Sequence, residues 1–240
     1  MKTSTLISSV AIALSVSSVA SADFASYGTL SYGSTPIAFN TGNINNENFW
    51  FSNTNIGTTE SPTALTLGMK SIGYFGQNPN PEYMGNGTWE AQAGKNAGPL
   101  AGAGGPDAPT WNFIWSVTVD GARPSATDLF WSMLITGPDG TTFGTKDTGM
   151  VALSGDFPGT QVPGSNPVYQ NAWVCSYPFL GLGFDPNETG RYTFDLSVFQ
   201  RAGSVDTQLS TLTMNVDVVP APGALAVLGL AGVVGRRRRA

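Results

Sequence analysis

Between residues 111 and 119, Trp111, Phe113, Trp115, Val117 and Val119 alternate with Asn112, Ile114, Ser116 and Thr118. A period of two puts each set on one face of a pleated strand. The same spacing recurs in Tyr192, Phe194, Leu196 and Val198, and again in Leu212, Met214, Val216 and Val218. Shorter copies occur at Phe49 and Phe51 and at Leu65, Leu67 and Met69, while residues 129–136 are apolar on both faces. Turn chemistry separates these runs: Asp120-Gly121, Gly137-Pro138-Asp139-Gly140 and Asp185-Pro186-Asn187-Glu188-Thr189-Gly190. No stretch of the body repeats apolar residues at helical spacing for three turns. A sheet with one apolar face needs a second layer over it. The pattern therefore predicts an all-β protein, an antiparallel β-sandwich of eight to ten strands, jelly-roll or immunoglobulin-like.

Two stretches break the alternation, residues 76–109, rich in Gly, Asn, Pro and Ala, and residues 155–167, rich in Gly and Pro, and an aromatic-dense stretch at 169–182 follows the second. They read as surface excursions between strands. Composition agrees with a strand-and-loop body: 30 Gly and 16 Pro in 240 residues, with 11% charged.

The two ends differ from the body. Residues 1–22 carry Lys2, an apolar run from Leu6 to Val19, and Ala20-Ser21-Ala22. A basic start, a short apolar stretch and a small-x-small site make a secretory signal peptide, with cleavage expected between Ala22 and Asp23. Signal peptidase and the secretion machinery are the partners this implies. Residues 218–240 carry Pro220, Ala221 and Pro222, then an apolar run, then Arg236, Arg237, Arg238 and Arg239. A helix over residues 223–235 would be roughly 20 Å long, short of the ~30 Å hydrocarbon core. Snorkelling arginines make up part of the deficit. Arginines beside a membrane segment stay on the cytoplasmic side, which leaves the body, residues 23–217, outside.

The order of prolines, short apolar run and arginine cluster resembles the PEP-CTERM sorting signal of Gram-negative bacteria. Pro220 and Pro222 match its two prolines and Arg236 to Arg239 its basic cluster, while Ala221 stands where the signal usually has Glu. The resemblance implies anchoring in the inner membrane, processing by an exosortase-type enzyme, and delivery to the cell surface or extracellular matrix. The body is also similar to the exported part of a group of PEP-CTERM proteins. The pieces that carry this likeness are Phe49–Phe51, Leu65–Gly68, Trp111–Ser116, Gln170–Trp173 and Phe184–Leu196. It bears on fold and implies no activity.

Charge narrows the partners. Without its ends the body keeps all sixteen acidic groups against six basic ones, a net charge of −10, where the whole chain has −5. An acidic body repels phosphate backbones, so no nucleic-acid partner is expected.

Candidate chemistry is sparse. The chain has no His, which removes the commonest general base and any Ser-His-Asp triad. Its one Cys, Cys175, has no disulfide partner in the chain and no His to activate it. Lys70-Ser71 reads as an ordinary pair of strand neighbours. Asp185-Pro186-Asn187 reads as an Asx turn, since it lacks the ligands that a calcium loop needs. No metal site and no cofactor are expected. Three tryptophans outside the strongest alternations, Trp50, Trp89 and Trp173, are candidates for stacking on an extracellular polysaccharide. Glu47, Glu60, Glu82 and Glu90 leave a carboxylate pair for glycoside hydrolysis open. The leading expectation is a non-enzymatic surface or matrix protein. A carbohydrate-binding module and a carboxylate-based extracellular hydrolase are the alternatives.

Overall fold

The computed structural model describes residues 25–29, 31–32, 35–36, 48–57, 63–73, 80–95, 108–121, 129–144, 151–152, 168–176 and 184–222. The expected signal peptide with its Ala22–Asp23 cleavage site, the apolar run 223–235 and Arg236 to Arg239 lie outside these residues.

Fourteen strands are described, ten of them four residues or longer, and the architecture is all-β. A five-stranded sheet contains β1 (Ala25–Thr29), β4 (Asn48–Asn55), β5 (Thr63–Gly73), β8 (Trp111–Gly121) and β12 (Val168–Trp173), in that spatial order. A seven-stranded sheet runs from β10 (Thr142–Gly144) through β9 (Leu129–Thr136), β13 (Gly190–Ala202), β14 (Val205–Val219) and β7 (Thr88–Gln92) to β6 (Glu82–Gly85). β11 (Val151–Ala152) also pairs with β9, and β2 (Ser31–Tyr32) with β3 (Thr35–Pro36) forms a separate ribbon. The five-stranded sheet is antiparallel throughout. The seven-stranded sheet departs from the all-antiparallel expectation at one place, where β14 and β7 run parallel.

The two sheets bury their facing sides in one core. β5 contributes Leu65, Leu67 and Met69, and β8 contributes Trp111 through Val119 at alternate positions. From the other layer come Trp131, Met133 and Ile135 of β9, Phe194 and Leu196 of β13, and Met214 and Val216 of β14. Trp115 of β8 stacks on Trp131 of β9 with ring centroids 4.5 Å apart. Trp173 of β12 closes on both rings, at 5.4 and 5.8 Å. Offset and edge-on ring pairs of this kind add about 0.5–1.5 kcal/mol each beyond the area they bury.

Several details differ from the sequence pattern for physical reasons. β9 is one-sided: Leu129, Trp131, Met133 and Ile135 are buried, and Phe130 on the other face is half-buried beneath the Arg201 guanidinium, 4.1 Å from its ring centroid. Phe49 and Phe51 share a face, but register sets Trp50 opposite Met69 and Phe51 opposite Gly68. They therefore occupy the far side of the five-stranded sheet, and Trp50, Ser52 and Thr54 face the core. That far side is withdrawn from solvent along β8, where Asn112, Ile114, Ser116 and Thr118 are all buried. Residues 80–95 form the β6–β7 hairpin of the seven-stranded sheet instead of a surface excursion. Trp89 and Ala91 point inward there, while Thr88, Glu90 and Gln92 do not. β14 continues through Val219, with Val218 in the core, so the folded body extends two residues past 217.

The turn of that hairpin is tight. Asn86 and Gly87 both have positive φ, 48° and 70°, the combination a two-residue hairpin turn demands. A Cβ on Gly87 would lie 2.5 Å from Trp50 Nε1. Gly87→Ala adds this clash to left-handed strain of ~1–2 kcal/mol. Its urea midpoint should fall by the equivalent of about 2 kcal/mol or more with an unchanged m-value. A variant as stable as the parent would contradict this packing.

Candidate functional site

Of the three tryptophans expected to stack on a sugar, Trp89 and Trp173 are buried and Trp50 is half-buried. Trp89 is 1% exposed and packs against Tyr83 and Tyr27, with Tyr27 stacked on Tyr83 at 3.7 Å. Trp173 is 5% exposed and lies against Phe113, Trp115 and Trp131. Trp50 is half-buried: its Nε1 donates to the Thr213 carbonyl at 2.9 Å, which ties β4 to β14, and Gly87 closes over its ring. Trp89 and Trp173 therefore offer no free ring face. Trp111, Trp115 and Trp131 are buried, as alternation predicts.

The remaining candidates also resolve into structural roles. Asp185 Oδ1 accepts from Asn187 N at 2.9 Å, the Asx turn expected there. Gly190, at φ +129°, follows that turn, where a Cβ would meet Pro138 Cβ at 2.8 Å. Cys175 is fully buried, and burial pushes its thiol far above the usual range, so it is inert as a nucleophile. Ser71 Oγ donates to the Asn112 carbonyl at 3.2 Å. Lys70 is 8% exposed, and desolvation pulls its ammonium down to about 8. It lies opposite Ile114 on the outer side of the five-stranded sheet, diagonal to Asn112 and Ser116. Asn112 Oδ1, Ser116 Oγ and Thr118 Oγ1 are buried there without hydrogen-bond partners.

Among the described residues, a cleft of about 240 Å³ beside the β6–β7 hairpin is the strongest candidate site. Asn80, Pro81, Glu82, Glu90, Ala91, Gln92, Thr110 and Trp111 line it. Backbone pairing builds it. Glu82 sits directly opposite Glu90 across the hairpin, so both carboxylates leave the same sheet face. The far end of β7 is held to the start of β8 by Thr110 Oγ1, which donates to the Gln92 carbonyl at 2.6 Å. Gly73 N donates to Asn80 Oδ1 at 3.0 Å, which fixes the approach to β6. Ala93 N donates to the Val219 carbonyl at 2.8 Å, joining this corner to the end of β14.

Charge around the cleft is one-sided. The parallel register puts Asp217 beside Glu90, and Arg191 holds Asp217 through two hydrogen bonds of 2.7 and 2.8 Å. That pairing keeps the Asp217 carboxyl below the ordinary range. Glu82 and Glu90 have no hydrogen-bond or ion-pair partner among the described residues. Trp111 in the wall is 1% exposed, and its indole N–H has no acceptor. Among the described residues no group of three or more His, Cys, Asp or Glu is placed to hold a metal ion. The sequence identified Glu82 and Glu90 only as available carboxylates. Asn80, Gln92, Thr110 and Trp111 gave no signal, because they come together through a parallel pairing and a strand start distant in sequence.

No protein-family model matches the chain, and no curated protein or solved structure is significantly similar to it.

Lys70 generates a pH prediction. In the unfolded chain its ammonium keeps the proton up to about 10.5, and in the fold it releases it near 8. Between these values the unfolded state binds more protons, so stability rises with pH across the window. The full burial cost is present below pH 8. Lys70→Met should be the more stable protein below pH 8, with the difference shrinking as pH approaches 10.5. Urea midpoints of both proteins at pH 7, 8, 9 and 10 check this, and a difference independent of pH contradicts it.

Proposed function

We propose that the chain is a non-enzymatic exported protein of the cell surface or extracellular matrix, sorted and processed through its C-terminal signal. The observation that carries the reading is the pairing of its ends. A segment that starts translocation precedes the body, and Pro220, Pro222, an apolar run and Arg236 to Arg239 follow it in the order of a PEP-CTERM signal. The shape of the body supports it. Pro220, Ala221 and Pro222 come directly after the last core strand, with Pro220 and Pro222 exposed. A processing enzyme of the exosortase type would meet an accessible motif at the border of a folded domain. The acidic body, at −10, suits a soluble domain outside the cell.

The finer fold reading belongs to the same proposal: a sandwich of jelly-roll or immunoglobulin-like type. It is supported by two sheets sharing one core and by hairpin pairing of β4 with β5, β6 with β7 and β13 with β14. Of the alternative functions, sugar stacking loses Trp89 and Trp173 as platforms and keeps the half-buried Trp50. A carboxylate hydrolase keeps Glu82 and Glu90. These two project side by side from one sheet face, whereas an acid and a nucleophile must flank the bond they cleave.

Deleting residues 223–240 should release the body into the medium of its native host. Fractionation with immunodetection tests this. Surface retention equal to that of the full chain would reject the sorting signal.

A further inference from the structure

We propose that Asn86, at the tip of the β6–β7 hairpin, is a self-modifying site that closes on Gly87, opens to isoaspartate and weakens the junction that Trp50 makes with β14. Asn86-Gly87 is the single Asn-Gly step in the chain. An Asn side-chain amide is attacked by the backbone nitrogen of the next residue, and Gly, without a Cβ, obstructs that approach least. In this step Gly87 N bonds to Asn86 Cγ and the Cγ–Nδ2 bond breaks. The proton of Gly87 N leaves with Nδ2 as ammonia. Water then opens the five-membered imide, at Cγ to give aspartate or at the backbone carbonyl carbon to give isoaspartate.

Three features of the turn permit ring closure while the hairpin stays shut. Asn86 is exposed, and its amide has no hydrogen-bond partner among the described residues. The Gly87 N–H lies outside the strand ladder and donates to the Tyr83 hydroxyl at a long 3.3 Å. The imide also fixes ψ of its first residue near about −120°, the first corner of a type II′ turn, where φ is about +60°. Asn86 already has φ 48°. Gly87, at φ 70°, crosses to the negative φ of the second corner, a change that costs glycine least. Types I′ and II′ both close a two-residue hairpin, so β6 and β7 need not separate. Asn187 supplies the contrast: its Nδ2 donates to Asp185 Oδ1 at 3.1 Å, and Glu188 follows it.

Isoaspartate adds a methylene to the backbone of a turn that has no slack. Gly87 lies against the Trp50 ring, where even a Cβ would sit 2.5 Å from Nε1. The Gly87 carbonyl accepts from Asn215 N at 2.8 Å, and Trp50 Nε1 donates to the Thr213 carbonyl at 2.9 Å. Displacing Gly87 therefore loads one bond of the hairpin to β14 and the bond of β4 to β14. The product is an aged form of the protein with a weaker junction between its sheets.

Incubation of the full-length protein in neutral detergent and heavy-oxygen water, at pH 7 and pH 9, followed by peptide mass mapping, tests the proposal. In the folded protein Asn86 should lose its amide roughly 10-fold or more faster than Asn187, because of the two only Asn86 precedes a residue without a Cβ. The rate should rise with pH, since Gly87 N attacks after losing its proton. Isoaspartate should exceed aspartate, each carrying one heavy oxygen. Asn86→Gln, whose longer side chain would have to close a six-membered ring, should stay unmodified over the same time. The modified protein, separated by its extra negative charge, should have a lower urea midpoint than the parent. Amide loss at Asn86 no faster than at Asn187, aspartate without isoaspartate, modification of Asn86→Gln at the parental rate, or equal urea midpoints for modified and fresh protein would overturn the proposal.

Discussion

The contact on which the rest of this structure depends is the stack of Trp115 on Trp131, 4.5 Å between centroids, one ring from each sheet. Strand pairing holds each sheet together, and side chains fill the space between the two layers. Trp173 seals one side of the stack, and Phe113 carries the aromatic row to Phe194 at 4.6 Å. Trp111 continues it to Tyr192 and Phe184 at 5.6 and 6.2 Å. An aromatic seam of this extent fixes the distance between the layers. It also absorbs the large side chains that a sugar-binding surface would display. The seam therefore decides what the protein can do as much as how it stands.

The core of the fold was legible in the sequence because it rests on period two. Trp111 to Val119, Tyr192 to Val198 and Leu212 to Val218 all bury the faces that their spacing assigns. The hairpin 82–92 was hidden by its Gly- and Asn-rich surroundings, although Trp89 and Ala91 alternate with Thr88, Glu90 and Gln92 over five residues. The inward direction of Trp50 was hidden for a different reason. Phe49 and Phe51 are the more apolar pair on that strand, yet register turns them away from the core, and no single strand carries its own register. The polar set Asn112, Ser116 and Thr118 suggested a wet face, and burial of both faces at β8 reverses that. Lys70 on the same face shows the consequence, an ammonium drawn out of water by neighbours that the sequence cannot place beside it.

The candidate cleft was illegible because it is a product of topology. Glu90 lies beside Asp217 only because β7 and β14 run parallel, and Trp111 lines the same cleft only because the end of β7 is tied to the start of β8. The same corner receives the end of the last core strand, Val219, before the chain leaves through Pro220, Ala221 and Pro222. Under the proposed function, the segment that carries the body to the surface thus joins it next to this cleft.

Collisional quenching of tryptophan fluorescence by iodide most directly tests whether the tryptophans serve packing. The aromatic seam predicts that at most one of the six, Trp50, is reachable in the native protein, and that all six become reachable in urea. Native-state quenching of two or more tryptophans would contradict it and return their ring faces to the surface.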